Sequence, residues 1–350
     1  MLNNNWLQNV ALGPLTSFGV PAQARYFTRL EQEDELPILL QEADHKDLPV
    51  LMLGGGSNML FTEDFPGLVI QIALTGISVR PDPEAADKVL ITAAAGENWH
   101  ALVEFCLNNQ LVGLENLALI PGSTGAAPVQ NIGAYGVELA DVLEHVRYFD
   151  RRTQQVQQLG VAECDLSYRD SIFKHELKDR AVILSVCLRL SKNACPQLSY
   201  PTLQHALSGI ANPSARDVFD AVCAIRRSKL PDPRVLGNAG SFFRNPLVSI
   251  SQWQALLLSW PDLPSYASDS PDMRKLPAAW LIEKAGWKGM RLGDAGVHTE
   301  QALVLVNHGQ ATGQQLLALA HQVARSVKVL FNITLEPEVN ILPAKAWQGQ

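Results

Sequence analysis

Short apolar runs and stripes of helical spacing alternate along the chain. Residues 49–53 form an apolar run that leads straight into three glycines, and residues 68–72 form another; both are predicted to be buried strands. Residues 89–93 give a third strand. Trp99, Leu102, Val103, Cys106 and Leu107 then recur at i, i+3, i+4, i+7 and i+8, the apolar face of a helix. Further on the pattern predicts a strand over 182–188, a short helix over 217–225 and a helix over 280–285 that Gly286 ends as a C-cap. A strand over 302–306 follows. The last helix carries Leu316, Ala320, Val323, Val327 and Leu330 on one face, and the tail from Phe331 is extended. Breaks are expected around Pro81, Asp82 and Pro83 and over residues 229–234. Strands alternating with helices predict an α/β or α+β protein, and periodicity does not order the strands.

Composition narrows this picture. A length of 350 residues is great for one core, so two or three domains are expected. Apolar content of 47% against 18% charged residues excludes a disordered chain. The net charge of −7 argues against a nucleic-acid binder, while leaving room for a local basic pocket for a phosphorylated small molecule. Five cysteines, widely spaced and without a C-x-x-C pair, fit a reducing compartment better than a disulfide framework or a zinc knuckle. Residues 1–10 lack the basic and apolar regions of a signal peptide. No apolar run approaches the roughly 18 residues that span a bilayer. A soluble, cytoplasmic protein without membrane contact is expected. The eight histidines form no H-x-H or H-E-x-x-H array, so no metal site is indicated.

Residues 120–136 carry the most information. They are too rich in small residues for a core helix and too apolar for a solvated linker. Gly122, Gly125, Gly133 and Gly136 let backbone lie close to a flat or phosphorylated ligand, and Pro121 and Pro128 stiffen the run. Upstream, Gly54, Gly55, Gly56, Ser57 and Asn58 follow a strand and can aim several N–H groups at one oxyanion. Neither segment is a G-x-G-x-x-G fingerprint or a Walker A loop. One such cluster reads as a tight turn; two, with Ser, Thr and Asn interleaved, favour a dinucleotide held along its length.

Three other segments are candidates for chemistry. Arg169, within the polar stretch Ser167 to Lys174, is either a fork for a carboxylate or a surface ion pair. Ser241, in the small-residue segment 237–246, is a nucleophile, a proton donor or a turn residue; no G-x-S-x-G elbow surrounds it. Glu336 and Glu338 fall on one side of an extended chain, as an acid or base or as solvated edge charges.

Together and in order, these segments resemble the UDP-N-acetylenolpyruvoylglucosamine reductases, the flavin enzymes of bacterial peptidoglycan precursor synthesis. The likeness is carried by residues 53–58, 113–117, 120–136, 168–174, 237–246 and 335–339, and spans nearly the whole chain. Leu198, Ser199, Tyr200 and Pro201 resemble the subgroup with an inserted tyrosine loop. After Glu338 the chain reads Val339, Asn340, Ile341 and Leu342, where the family often has a basic residue and an apolar-Gly pair.

The resemblance implies an α+β protein of three domains. Residues 1–75 and 76–228 would form a vanillyl-alcohol-oxidase-like FAD-binding fold, with the tail 331–350 returning to the second. Residues 229–330 would form an α/β substrate-binding domain. It implies non-covalent FAD, NADPH as co-substrate, and a UDP-sugar enolpyruvyl ether reduced to UDP-N-acetylmuramate. Hydride would pass from flavin N5 to C3, with protonation at C2. By matching position, Arg169 would face the charge developing at the carboxylate, Ser241 would protonate C2, and Glu338, rather than Glu336, would be the catalytic glutamate. FAD would contact Gly54, Gly55, Gly56, Ser57 and Asn58. It would also contact Pro121, Gly122, Ser123, Gly125 and Ala126, then Gln130, Asn131, Gly133, Ala134 and Tyr135. Tyr200, Lys229 and Asn245 would hold the substrate diphosphate or enclose the ligand. The family's role places the protein in cell-wall biogenesis, cell shape, cell cycle and division; a monomer is expected. Two alternatives stand beside this. One is another FAD-linked oxidase or dehydrogenase of the same fold, many of which attach FAD through a His or Cys that residues 53–61 lack. The other is a sugar-nucleotide sensor without turnover.

Overall fold

The apolar run 182–188 lies inside the strand Ala181–Ser191, the middle of a five-stranded antiparallel sheet. The structure is a computed structural model and describes residues 6–193, 195–268 and 270–347. The sheet order is Gln155–Gly160, Leu143–Asp150, Ala181–Ser191, Lys88–Ala94 and Ile77–Pro81. Arg147 pairs with Ser185 but Tyr148 pairs with Ile183, so Leu184 is the extra residue of a bulge. The bulge reverses the side-chain alternation. Val182 and Leu184 pack into one apolar cluster, whereas Ile183, Val186, Leu188 and Leu190 pack into another. That is why the strand is apolar on both faces, with Ser185 alone interrupting the run 182–188.

The second cluster is completed by the helix Trp99–Asn108, whose Trp99, Leu102, Val103 and Cys106 are buried as the stripe predicts; Leu107 is half-buried. Asn98 caps the helix by accepting from the Ala101 N–H at 3.0 Å. The first cluster lies against a four-stranded sheet ordered Leu7–Ala11, Gln23–Leu30, Phe65–Ile72, Val50–Leu53, its last two strands parallel. The helix Glu35–His45 adds Leu36, Leu39, Leu40 and Ala43. The break expected at Pro81 to Pro83 is the turn between two paired strands, Ile77–Pro81 and Lys88–Ala94. Proline is tolerated there because it ends a strand at the sheet edge.

The chain divides into two compact units. One comprises the residues up to Val10, Ala24–Gly56 and Pro66–Ser228; the other comprises Ala11–Gln23, Ser57–Phe65 and the chain from Lys229. The second unit holds an antiparallel sheet ordered Gly237–Ser241, Val304–Asn307, Ala295–Val297, Arg291–Leu292. Its long helix, Gly313–Phe331, begins in a capping box of Thr312 and Gln315. Leu316, Ala320, Val323 and Val327 are buried on its inner face, but Leu330 is 47% exposed and Phe331, four residues beyond Val327, is buried in its place. In the tail, Asn340–Leu342 pairs in parallel with Met59–Phe61. The molecule is thus α+β, with mostly antiparallel sheets. Among the described residues, no helix is long and apolar enough to cross a membrane. All five cysteines are free thiols.

Candidate functional site

The two glycine loops meet in the first unit. A Cβ on Gly55 would lie 2.9 Å from Gly122 Cα, and one on Gly54 would lie 2.6 Å from Ser123 Oγ. Only glycine permits so close an approach of backbone to backbone. Gly125 is pressed equally against Ala95, at 2.5 Å from a built Cβ to the Ala95 Cβ. Beside this contact lies a cavity of about 170 Å³, lined by Gly54, Ser123, Gly125 and Ala126 and by apolar residues that include Phe173 and Val182. Pro121 and Ala126 are exposed, and Gly133 and Ala134 form a short hairpin with Val137–Glu138.

The polar stretch 167–174 locks onto the second loop. Arg169 donates to the carbonyls of Gly133 at 2.7 Å and Asn131 at 3.3 Å, and Lys174 donates to the Arg169 carbonyl at 3.0 Å. Ser171 donates to the Val129 carbonyl at 2.7 Å. Buried Asn131 donates to the Glu138 carboxylate at 2.7 Å and to the Ser167 carbonyl at 3.1 Å. Arg169 at φ 57° and Tyr135 at φ 51° sit in the left-handed region without being glycine. Such backbone strain is sustained only where surrounding bonds over-determine it, and it clusters at functional sites.

Tyr135 meets three further groups. Its ring packs edge-on against Tyr200, centroids 5.3 Å apart. Asn116, buried, donates to the carbonyls of both Tyr135 and Gln197 at 2.9 Å, tying the glycine run to the segment before Tyr200. Arg226 reaches the same place from the helix Ala215–Lys229. Burial pulls its pKa below the usual arginine value, the neighbouring Tyr135 phenol opposes this, and Arg169 adds repulsion. Its Nε is buried without a hydrogen-bond partner. Burial likewise pushes the Tyr135 phenol up.

In the second unit a bulge prepares Ser241. Asn238 pairs with Val306 and Ser241 with Val304, so two residues, Ala239 and Gly240, oppose one. Gly240 takes φ 70°. Buried Asn238 builds this shape: it accepts from the Gly240 N–H at 2.9 Å and donates to the Pro231 and Leu236 carbonyls at 3.1 and 2.8 Å. Bulges re-aim side chains; here Ser241 is exposed while Phe242 and Phe243 are buried. The tail pairs with this segment: the Glu338 N–H donates to the Phe242 carbonyl at 2.8 Å, and the Arg244 N–H to the Glu336 carbonyl at 3.0 Å. Glu336 is exposed, with Arg244 Nε 3.7 Å from its carboxylate, whereas Glu338 is half-buried. Asn245 accepts from the Ala278 N–H at 2.9 Å at the start of the helix Ala278–Lys284. Lys229 is exposed at the end of its helix.

By unit, Gly54 to Gly56, the run 121–135, Arg169 and Tyr200 fall in one, and Ser241, Glu338, Asn245, Lys229, Ser57 and Asn58 in the other. Arg226, Asn116 and Asn238 were not singled out from sequence. Arg226 does leave a trace: it falls three and four residues after the buried Cys223 and Val222, where the helical stripe calls for an apolar residue.

Two family descriptions match the chain: "FAD binding domain" over residues 24–159 and "UDP-N-acetylenolpyruvoylglucosamine reductase, C-terminal domain" over residues 232–342. The UDP-N-acetylenolpyruvoylglucosamine reductase of Chromobacterium violaceum is 50% identical, covering 95% of this chain and 98% of its own. That of Pseudomonas aeruginosa is 48% identical with the same coverage of both chains. Among solved structures, the UDP-N-acetylenolpyruvylglucosamine reductase of Thermus caldophilus superposes with a TM-score of 0.64 at 24% identity, over 95% of this chain and 98% of that one.

Proposed function

The chain belongs to the UDP-N-acetylenolpyruvoylglucosamine reductases, and from that premise we propose that it reduces UDP-N-acetylglucosamine-enolpyruvate to UDP-N-acetylmuramate with NADPH. The residues present fit FAD. Because Gly54, Gly55 and Gly125 lack side chains the two loops pack closely, which leaves backbone N–H groups as donors suited to a diphosphate, and the adjoining largely apolar cavity suits a flat ring. The redox chemistry, a hydride taken from NADPH and given to C3 of the enolpyruvyl group, is what bound FAD supplies.

The chain's own residues handle charge and proton. Arg169 faces the substrate carboxylate, where negative charge accumulates as hydride arrives; a cation already fixed by two carbonyls pays little reorganisation at that moment. Ser241 gives its proton to C2. A serine hydroxyl is a weak acid, so it needs an ordered proton path, and Glu338 is assigned to that path. Tyr200, Lys229 and Asn245 hold the diphosphate end. The single observation that carries this reading is the 2.8 Å bond from the Glu338 N–H to the Phe242 carbonyl, which sets the glutamate beside the residue that follows Ser241.

The same reading divides the chain into FAD-binding parts at 1–75 and 76–228 and a substrate-binding part at 229–330. It makes the protein a cytoplasmic monomer serving peptidoglycan synthesis, and through it cell shape and division. The test is an anaerobic visible spectrum of the purified protein. Flavin bands should bleach with NADPH and return with the enolpyruvyl substrate. Ser241→Ala should slow only the return, by about 10²- to 10⁴-fold. Equal slowing of both halves would remove the proton-donor role.

A further inference from the structure

Glu338 is held through its backbone from two sides. Its N–H donates to the Phe242 carbonyl, and its carbonyl accepts from the Asn58 side-chain amide at 3.1 Å. The Asn58 carbonyl in turn accepts from the Asn340 N–H at 3.0 Å and from the Asn340 side-chain amide at 3.2 Å. Beyond this clasp, Asn340–Leu342 runs parallel to Met59–Phe61. Thr62 closes the far end, its N–H and hydroxyl both donating to the Leu342 carbonyl, at 2.8 and 2.9 Å. A two-stranded parallel ladder this short is weak by itself. The bonds at its two ends therefore add to those that Phe242 and Arg244 make with the tail. Thr62 grips the tail well past the glutamate; Asn58 grips residue 338 itself.

We propose that Asn58 is a positioning residue for the Glu338 carboxylate, both residues lying in the second unit. This rests on the reading of Glu338 as catalytic. An amide donor of this length is what the clasp requires. Asp at the same place would set a carboxylate oxygen against the Glu338 carbonyl oxygen, and neither can donate. Once that carbonyl is released, the extended backbone can turn. Displacement of a positioned group by about 1 Å costs about 10²-fold in rate.

The test uses the FAD-loaded enzyme with Asn58→Ala, Asn58→Asp, Glu338→Gln and the double variant Asn58→Ala/Glu338→Gln. Three quantities are read: hydrogen exchange across residues 336–342, the ratio of flavin to protein absorbance, and the single-turnover rate of enolpyruvyl reduction. Asn58→Ala should speed exchange at the Glu338 and Asn340 amides and slow reduction by about 10²-fold. The double variant should be no slower than Glu338→Gln alone, because both changes remove one function. Asn58→Asp keeps the side-chain size, so it carries the test if the alanine variant folds poorly. Unaltered exchange, a multiplicative double variant, or loss of flavin as the sole defect would overturn the clasp. A silent Glu338→Gln would instead take down the assignment of Glu338, whatever the exchange shows.

Discussion

A built Cβ on Gly55 would meet backbone, the Cα of Gly122 at 2.9 Å, and backbone cannot swing aside as the end of a flexible side chain can. Gly55→Ala should therefore force the two loops apart. We expect it to cost about 1–3 kcal/mol of stability, as overpacking does, and to weaken FAD binding; thermal unfolding and a flavin titration measure both. A variant with native melting and native flavin affinity would mean the loops can slide without consequence. At Gly240 nothing lies within 4 Å, and the glycine is needed for its φ of 70° instead. The sequence marks both positions as glycine and does not say which reason applies, because one is a contact between segments far apart in the chain. Arg169 was legible as a candidate through the motif around it. Arg226 left only a trace in the helical stripe, because its neighbours Tyr135 and Arg169 come from two other segments.

Among the elements, the strands were legible wherever burial on both faces demanded a mostly apolar run, as at 182–188. The bulges were not: Leu184 and the pair Ala239 and Gly240 shift the register by one residue, and a count of apolar positions cannot detect a shift within an apolar or small-residue run. The helix Ala215–Lys229 outran its predicted end because its last turn is polar. The second bulge matters most, since it turns Ser241 outward. Asn238→Ala would leave the Gly240 N–H and two carbonyls without their partner. We expect a loss of about 1–3 kcal/mol in urea unfolding, together with a slower enolpyruvyl reduction. A stability loss with the reduction rate untouched would show that the bulge supports the sheet but does not aim the serine.

For the whole molecule, acid is the informative perturbation. Burial holds His100, His145, His298 and His308 below the ordinary histidine value. His100 Nδ1 accepts from the Leu119 N–H at 3.1 Å, a bond its protonation would break. A folded pKa below the unfolded one means the stabilisation is complete above about pH 6.5 and is lost as pH falls through the folded value. The melting temperature should drop between pH 7 and pH 5. The slope is at most about 1.4 kcal/mol per pH unit for each extra proton taken up on unfolding. His100→Gln should flatten it, and a profile already flat in the unaltered protein would contradict this account. The parallel pairing of Asn340–Leu342 with Met59–Phe61 also governs the order of assembly. On the ribosome, residues 59–61 emerge early and wait through most of translation for their mate, with one strand edge open to a neighbouring nascent chain. So distant a pairing is slow to form. Residue 338 therefore docks late, and on the proposed reading a chain cut short before it would lack the glutamate assigned to the proton path.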